Sequence, residues 1–473
     1  MHWGNQSNRK PTLPFWVIAA LLALSITPVR GQDPDPAEEP PTGSVETKAN
    51  TLFPDPPSAD PHDPLAPQFS GGVPGALAAD PQPAGYSAGQ GYKVSLFNDT
   101  SSLVLQANFS LLGIASTSRA LVPWNPLLMF PASPYGLNTN TFDLHGRQTN
   151  FQGIFSGPEM FGFQTGAFTR IYLQNGSLTS DTYGLLPAVA FADMKNEDWR
   201  FAVGLQPDVF TPRDPVMIPT SLLAASGNPG TFRGQIRAER FFHLMESTLQ
   251  TVTLALSEPI STILIDANKQ NTEDNGWPNI EARLNNGFGE VEELTGGRKE
   301  RWMEAGISGV VGQVRTTRTV WEPSDLTDPT PPRNIVNVWG GAIDTRINLT
   351  RSFGLVGEVY MGQGLGTYMA SIAQVFNPVT KEAVRSNGFW AEAFWYLTDQ
   401  VHWHAGYGLE NPNPNDLPAN QPYRNQTYFT SLFWDINRSV QWSCEVDYRQ
   451  TNYFAPIRDG SGAIFYTQFL WRF

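Results

Sequence analysis

The sequence predicts an all-β fold, a sixteen-stranded antiparallel transmembrane β-barrel behind a disordered N-terminal linker. Three observations predict it. Apolar and polar residues alternate with period two in segment after segment, the pattern of strands with one polar and one apolar face. The connections between segments alternate long and short. The last segment is itself amphipathic and ends on Phe473. Composition agrees: 12% of the 473 residues are aromatic and only 16% are charged, against about 25% charged in an ordinary soluble domain. The chain lacks the repeated apolar runs of about 20 residues that a helical membrane protein needs. The single Cys444 excludes a disulfide scaffold, and a net charge of −13 argues against nucleic acid as a partner.

Residues 1–31 read as a signal peptide. Arg9 and Lys10 precede a 12-residue apolar core, Phe15 to Ile26, too short to span a bilayer. Pro28 ends it, and Val29 and Gly31 place small residues at the −3 and −1 positions of a cleavage site. Residues 32–102 read as a Pro-rich acidic periplasmic linker, with runs such as DPDPAEEPP and FPDPPSADPHDPLAP. Proline removes backbone donors, and the stretch offers little apolar surface to bury.

The barrel is read over 103–473. Strands are expected near 103–115, 141–155, 162–174, 186–193, 199–205, 231–240, 249–258 and 279–285. Eight more are expected near 302–315, 336–350, 353–363, 388–398, 400–410, 425–435, 438–449 and 463–473. In 438–449, Val440, Trp442, Cys444, Val446 and Tyr448 share one face, while Gln441, Ser443, Glu445, Asp447 and Arg449 share the other. Outer-membrane barrels have short periplasmic turns, long external loops and an even strand number. Only the connection 286–301 departs, being long where a short turn is due. Because lipid offers no partner for backbone N–H and C=O, the last strand must pair with the first. Sixteen strands enclose an aqueous lumen.

If the apolar parity faces lipid, the other parity lines the pore. The basic candidates are Arg147, Arg170, Arg200, Arg233, Arg237, Arg283 and Arg346, with Arg449 and Arg472. Each guanidinium stays charged and can grip a carboxylate with two parallel hydrogen bonds. Asp143, Glu239, Glu281, Glu304, Asp344, Glu358, Glu392, Glu445 and Asp447 share that parity, so each arginine either faces solute or braces the wall against an acid. The third external loop, Gln206 to Gly230, holds five prolines and carries Arg213 and Asp214. It either lies over the barrel rim or, by its resemblance to the third loop of general porins, folds inward as a constriction that the prolines stiffen, the course expected here. His402 and His404 share the lumen face without a third ligand nearby and read as polar wall. No catalytic motif and no cofactor or metal site is found.

The stretch DLHGRQTNFQGIFSGPEMFGFQTGAFTRIYL, Asp143 to Leu173, resembles the DcaP-like porins of Gram-negative outer membranes. So do RFAVGLQPDVFTPRDP, TFRGQIRAERFF and TVTLALSEP. The resemblance implies an outer-membrane porin: a sixteen-stranded barrel, usually a homotrimer, seated in outer-membrane lipid and passing small polar, often anionic, solutes. The N-terminus departs from the family, whose typical member carries a periplasmic helical segment. A Pro-rich stretch cannot form a coiled coil. The expectation is therefore a passive channel with carboxylate preference. A soluble exported adhesin or carbohydrate binder is the other reading, and a structural barrel that ties membrane to cell wall is a third.

Overall fold

A computed structural model describes residues 91–473, apart from 98–99, 133–138, 175–181, 246, 260–271, 274–276, 317–333, 378 and 420. The segment read as a signal peptide and most of the linker lie outside the described residues.

The chain is built almost entirely of antiparallel strands. They are β1 (Tyr92–Leu96), β2 (Ser101–Ser116), β3 (Thr141–His145), β4 (Asn150–Met160), β5 (Phe163–Tyr172), β6 (Leu186–Lys195) and β7 (Trp199–Pro207). There follow β8 (Phe232–Met245), β9 (Thr248–Ser257), β10 (Thr272–Glu273), β11 (Asn279–Phe288), β12 (Glu292–Leu294), β13 (Arg298–Glu300) and β14 (Met303–Thr316). The last seven are β15 (Asn334–Asn348), β16 (Phe353–Gln363), β17 (Arg385–Tyr396), β18 (Val401–Pro412), β19 (Pro422–Asp435), β20 (Val440–Tyr453) and β21 (Gly460–Arg472).

Sixteen of these units form the wall. β3 and β4 are two halves of one strand, since β2 pairs with β4 over Ser102–Asn108 and with β3 over Leu112–Ser116. The barrel closes where β2 pairs with β21, from Asn108↔Arg472 to Ser116↔Ile464. β21 is too short to cover the start of β2. The exposed edge of Ser101–Leu105 is covered by β1, folded back as a hairpin. Tyr92–Leu96 is therefore strand, inside the stretch read from sequence as linker. The physical reason is that seam: an uncovered edge strands its backbone donors in lipid. Phe473 completes the join, its N–H donating to Ala107 O at 2.9 Å and its carbonyl accepting from Ala107 N at 3.1 Å.

The expected parity holds. On β20, Val446 is exposed while Glu445, Asp447 and Arg449 are buried in the lumen. Leu254, Ile307, Ile343, Val359 and Phe469 belong to an exposed apolar belt around the wall. Trp199, Trp302, Trp395, Trp434 and Trp471 rim it at the short-turn end, and Trp339, Tyr428 and Tyr448 lie toward the other. An apolar belt with aromatic girdles on a closed barrel is a lipid-facing surface of the outer-membrane type. A soluble adhesin or carbohydrate binder has no use for it.

Among the described residues, three long connections turn into the lumen: 117–130, 208–231 and 364–384. Their apolar side chains make a core inside the barrel. Leu127 and Leu128, Ala224 and Ala225, and Met369 and Ile372 form one cluster contributed by all three loops. Phe210, Tyr360, Leu365 and Tyr368 pack with Val310, Val314 and Val338 of the wall in a second.

Candidate functional site: a lumen divided by the 208–231 loop

The 208–231 loop leaves β7 and follows the inner wall. Wall carboxylates hold it by its backbone. Val209 N–H and Phe210 N–H donate to Glu281 Oε2 at 2.5 and 3.0 Å. Arg213 N–H reaches Glu358 Oε2 at 3.3 Å, Val216 N–H reaches Glu392 Oε2 at 2.7 Å, and Ile218 N–H reaches Glu445 Oε2 at 2.7 Å. On the return path Gly227 N–H donates to Glu410 Oε2 at 3.1 Å. Proline spacing fits this course: Pro212, Pro215 and Pro219 lie between the anchoring residues, fixing φ without removing an anchoring donor. Glu281, Glu358, Glu392, Glu410 and Glu445 come from β11, β16, β17, β18 and β20, so the loop is stitched to one side of the barrel. At its far end Gln148 Nε2 donates to Ile218 O at 2.8 Å, from the interruption between β3 and β4.

The return path is strained. Leu222, Leu223 and Ala225 all have left-handed φ, as do Met369, Ser371, Ile372 and Ala373 of the neighbouring loop. Such residues cost about 1–2 kcal/mol each. Glu410 offsets part of this by gripping both loops, since its Oε1 accepts from Ser371 N–H at 2.7 Å and from the Tyr360 hydroxyl. Gly227 is required where it stands: its φ is +101° and a side chain would strike the carbonyl of Phe389.

Each sequence-predicted residue has a definite place. Arg233 is fully enclosed rather than facing solute. Its Nε donates to Asp208 Oδ1 at 2.5 Å, and its guanidinium lies 3.8 Å from the Tyr368 ring centroid. It braces the start of the loop, a correction to its reading as pore-lining. Arg213 is also structural: its Nε donates to Asp344 Oδ1 at 2.5 Å and its Nη2 to Glu304 Oε2 at 3.0 Å. Burial opposes its charge, but the two carboxylates outweigh burial and raise its pKa. Asp214 accepts from Asn228 Nδ2 at 2.9 Å, inside the loop. Arg283 shares Asp344 with Arg213, at 2.7 Å, and Arg346 holds Glu300 Oε1 at 2.7 Å.

The remaining four lie on the wall of β3 to β8. Arg147 sits in the β3–β4 interruption, its guanidinium 5.0 Å from the Trp124 ring centroid and 4.9 Å from that of Tyr183. Arg170 Nη2 donates to Gln152 Oε1 at 3.3 Å. Arg200 lies between Asp193, at 2.7 Å, and Glu239, at 3.1 Å. Arg237 bonds Gln235 Oε1 at 2.8 Å and the carbonyl of Pro207. His402 and His404 are polar wall: His402 Nδ1 is 2.8 Å from His404 Nε2, and His404 Nδ1 is 2.6 Å from Glu392 Oε1.

The lumen is thus electrically uneven. Five acids on the far wall are each capped by N–H donors of the loop. On β3 to β8, Arg147, Arg170, Lys195, Arg200 and Arg237 face four acids, Asp143, Glu159, Asp193 and Glu239. Sequence reasoning found these arginines. It missed the anchoring role of the acids, although five glutamates at lumen parity opposite a Pro-rich loop was the available signal.

One prediction follows from the anchors. Glu410→Ala should leave a folded, heat-modifiable barrel. Each abandoned buried donor costs about 1–3 kcal/mol, so the loops should detach locally. Bilayer recordings should show open-channel noise absent from the parent. Recordings indistinguishable from the parent would mean that Glu410 anchors nothing.

No family model matches the chain, and no curated protein matches it. Among solved structures it is similar to the outer membrane channel DcaP of Acinetobacter baumannii. The identity is 12% over 81% of this chain and 99% of that chain, with a TM-score of 0.60. That likeness shows the fold, the DcaP-type porin barrel that the sequence resemblance implied. The anion-selective porin from Comamonas acidovorans aligns at 9% identity over 79% of this chain and 100% of that one, TM-score 0.48. The outer-membrane OmpT of Vibrio cholerae aligns at 8% identity over 80% and 100%, TM-score 0.47.

Proposed function

We propose that the chain is an outer-membrane porin, a passive diffusion channel for small polar solutes that prefers anions, carboxylates among them. The carrying observation is the division of the lumen. The loop occupies the side whose carboxylates it caps, so the solute path runs along the side where Arg147, Arg170, Lys195, Arg200 and Arg237 exceed the four acids by one. Charge on the walls of a pore sets which ions it favours. Lumen water screens each arginine over roughly 8–10 Å, so the preference is a sum of modest terms.

A homotrimer fits the outer surface. Gly153, Ala167, Thr169, Ala190 and Ala192 leave a hollow of about 310 Å³ on the outside of β4 to β6, edged by Leu103, Phe155 and Val203. Small residues let protein surfaces meet closely in lipid, where apolar burial gives no drive.

The channel itself is tested in planar bilayers. Heat-modifiable purified protein should insert with stepwise conductance increments. Folded protein that inserts and gives no steps would leave only a structural barrel.

A further inference from the structure

Each turn at the short-turn end uses four residues or fewer, except Gly289–Trp302 between β11 and β14. This is the connection whose length broke the sequence pattern. Within it β12 and β13 pair as a small hairpin, Glu292↔Glu300 to Leu294↔Arg298. The hairpin does not hang into the periplasm. It turns inside the rim and is tied to wall elements as far away as the β17–β18 turn.

Gly296 N–H donates to Asp399 Oδ1 at 2.9 Å, and Thr295 N–H to Arg351 O at 3.0 Å. Arg298 is the anchor. Its Nη1 donates to Asn348 Oδ1 at 3.1 Å and its Nη2 to Arg351 O at 3.1 Å. Its guanidinium lies 4.1 Å from the Tyr396 ring centroid and 5.1 Å from that of Phe394. Asn348, Phe394 and Tyr396 all stand at lumen parity, so the hairpin lies across the inner wall of the mouth. Leu294 is buried, whereas Glu290, Glu292 and Glu293 are exposed.

The hairpin delivers Glu300 to Arg346 of β15, Oε1 to Nη2 at 2.7 Å. This pair is not sealed: the Arg346 side chain keeps 27% exposure and that of Glu300 keeps 23%. Arg346 Nε is itself enclosed and has no hydrogen-bond partner, so the exposure lies elsewhere on the side chain. A guanidinium that keeps part of its side chain exposed, and whose ion-pair partner among the described residues sits on a separate hairpin, can accept a second carboxylate or phosphate in exchange for the first.

We infer that the 289–302 hairpin is a second selectivity element at the periplasmic mouth, where the Arg346–Glu300 pair meets the anionic group of a solute that has passed the 208–231 loop. The inference rests on the channel reading above. It assigns selectivity to both ends of the lumen, and it makes Glu300 a competitor for the solute's carboxylate or phosphate. If the hairpin only braces the rim, altering its charge leaves ion preference untouched.

The test compares three proteins in planar bilayers: the parent, Glu300→Gln, and a variant in which residues 290–301 are replaced by an Asn-Gly turn. Glu300→Gln removes one negative charge beside Arg346 and should raise the anion-to-cation permeability ratio about twofold at unchanged conductance. The shortened variant should raise conductance about twofold, because the mouth is wider. Parent-like conductance and permeability ratio in both would overturn the inference while leaving the channel intact. Should the shortened variant fail to fold, Glu300→Gln decides alone. A parent that gives no steps overturns the channel reading, and this inference with it.

Discussion

Replacing Arg233 with Met should destabilise the protein by about 3–5 kcal/mol, the cost of stranding one half of a buried ion pair. Asp208 would be the stranded half. Its carboxylate is enclosed, takes Arg233 Nε at 2.5 Å and Nη2 at 3.3 Å, and accepts Thr231 N–H at 3.0 Å. It cannot swing to water easily, because it directly follows β7 and its own N–H donates to Thr231 O at 3.0 Å. Met keeps most of the packing against Tyr368 and removes only the charge and the hydrogen bonds. The double variant Arg233→Met/Asp208→Asn should regain a large part of the loss, since no uncompensated charge remains. Urea unfolding in lipid vesicles, followed by tryptophan fluorescence, measures both. A single variant as stable as the parent would show that Asp208 is hydrated in the folded state.

The second large effect is at the lipid face. Ile343→Arg should cost about 2–4 kcal/mol, the expense of a cation near the bilayer midplane. Ile343 is 56% exposed, lies mid-strand on β15, and pairs outward with Ile307 and Val359. β15 is far around the wall from the hollow on β4 to β6. Thr251→Arg is the matched control. Thr251 is half-buried at lumen parity on β9, where a guanidinium can reach water. Glu445 would be a poor control despite its lumen parity, because its carboxylate holds Ile218 N–H and the loop fills the space before it. Loss of the heat-modifiable form with Ile343→Arg, and its retention with Thr251→Arg, is the expected outcome. Equal tolerance would mean that the belt does not face lipid.

The wall was legible because a strand's alternation is a local property. Val440 to Tyr448 display it within nine residues, and the parity read there is the parity found. Closure followed from the chemistry of an unpaired edge, and the inward loop from its resemblance to the third loop of general porins. What was not legible depends on partners distant in sequence. Nothing near Arg233 announces Asp208, 25 residues earlier, or Tyr368 beneath its guanidinium. Glu281 reads as a lumen charge until Val209, 72 residues away, is seen to donate to it. β1 was hidden because Tyr92–Leu96 carries only five residues of pattern, and its partner is needed only where β21 stops short. The hairpin after β11 was visible as a broken rhythm, without its direction.

The central claim is that an arginine-bearing wall borders the solute path, its guanidiniums largely buried in the wall, while the opposing acids are spent on the loop. Reversal potential across a bilayer in a KCl gradient tests it most directly, for the parent and for Arg170→Gln/Arg237→Gln. These two arginines sit on β5 and β8 and donate to Gln152 and Gln235 at 3.3 and 2.8 Å. Their replacement removes positive charge, and Glu239, which Arg237 approaches at 3.8 Å, keeps Arg200 at 3.1 Å. The account predicts a parent potential of anion-selective sign and a shift toward zero or cation selectivity in the double variant. A cation-selective parent whose potential the double variant leaves unchanged would contradict it.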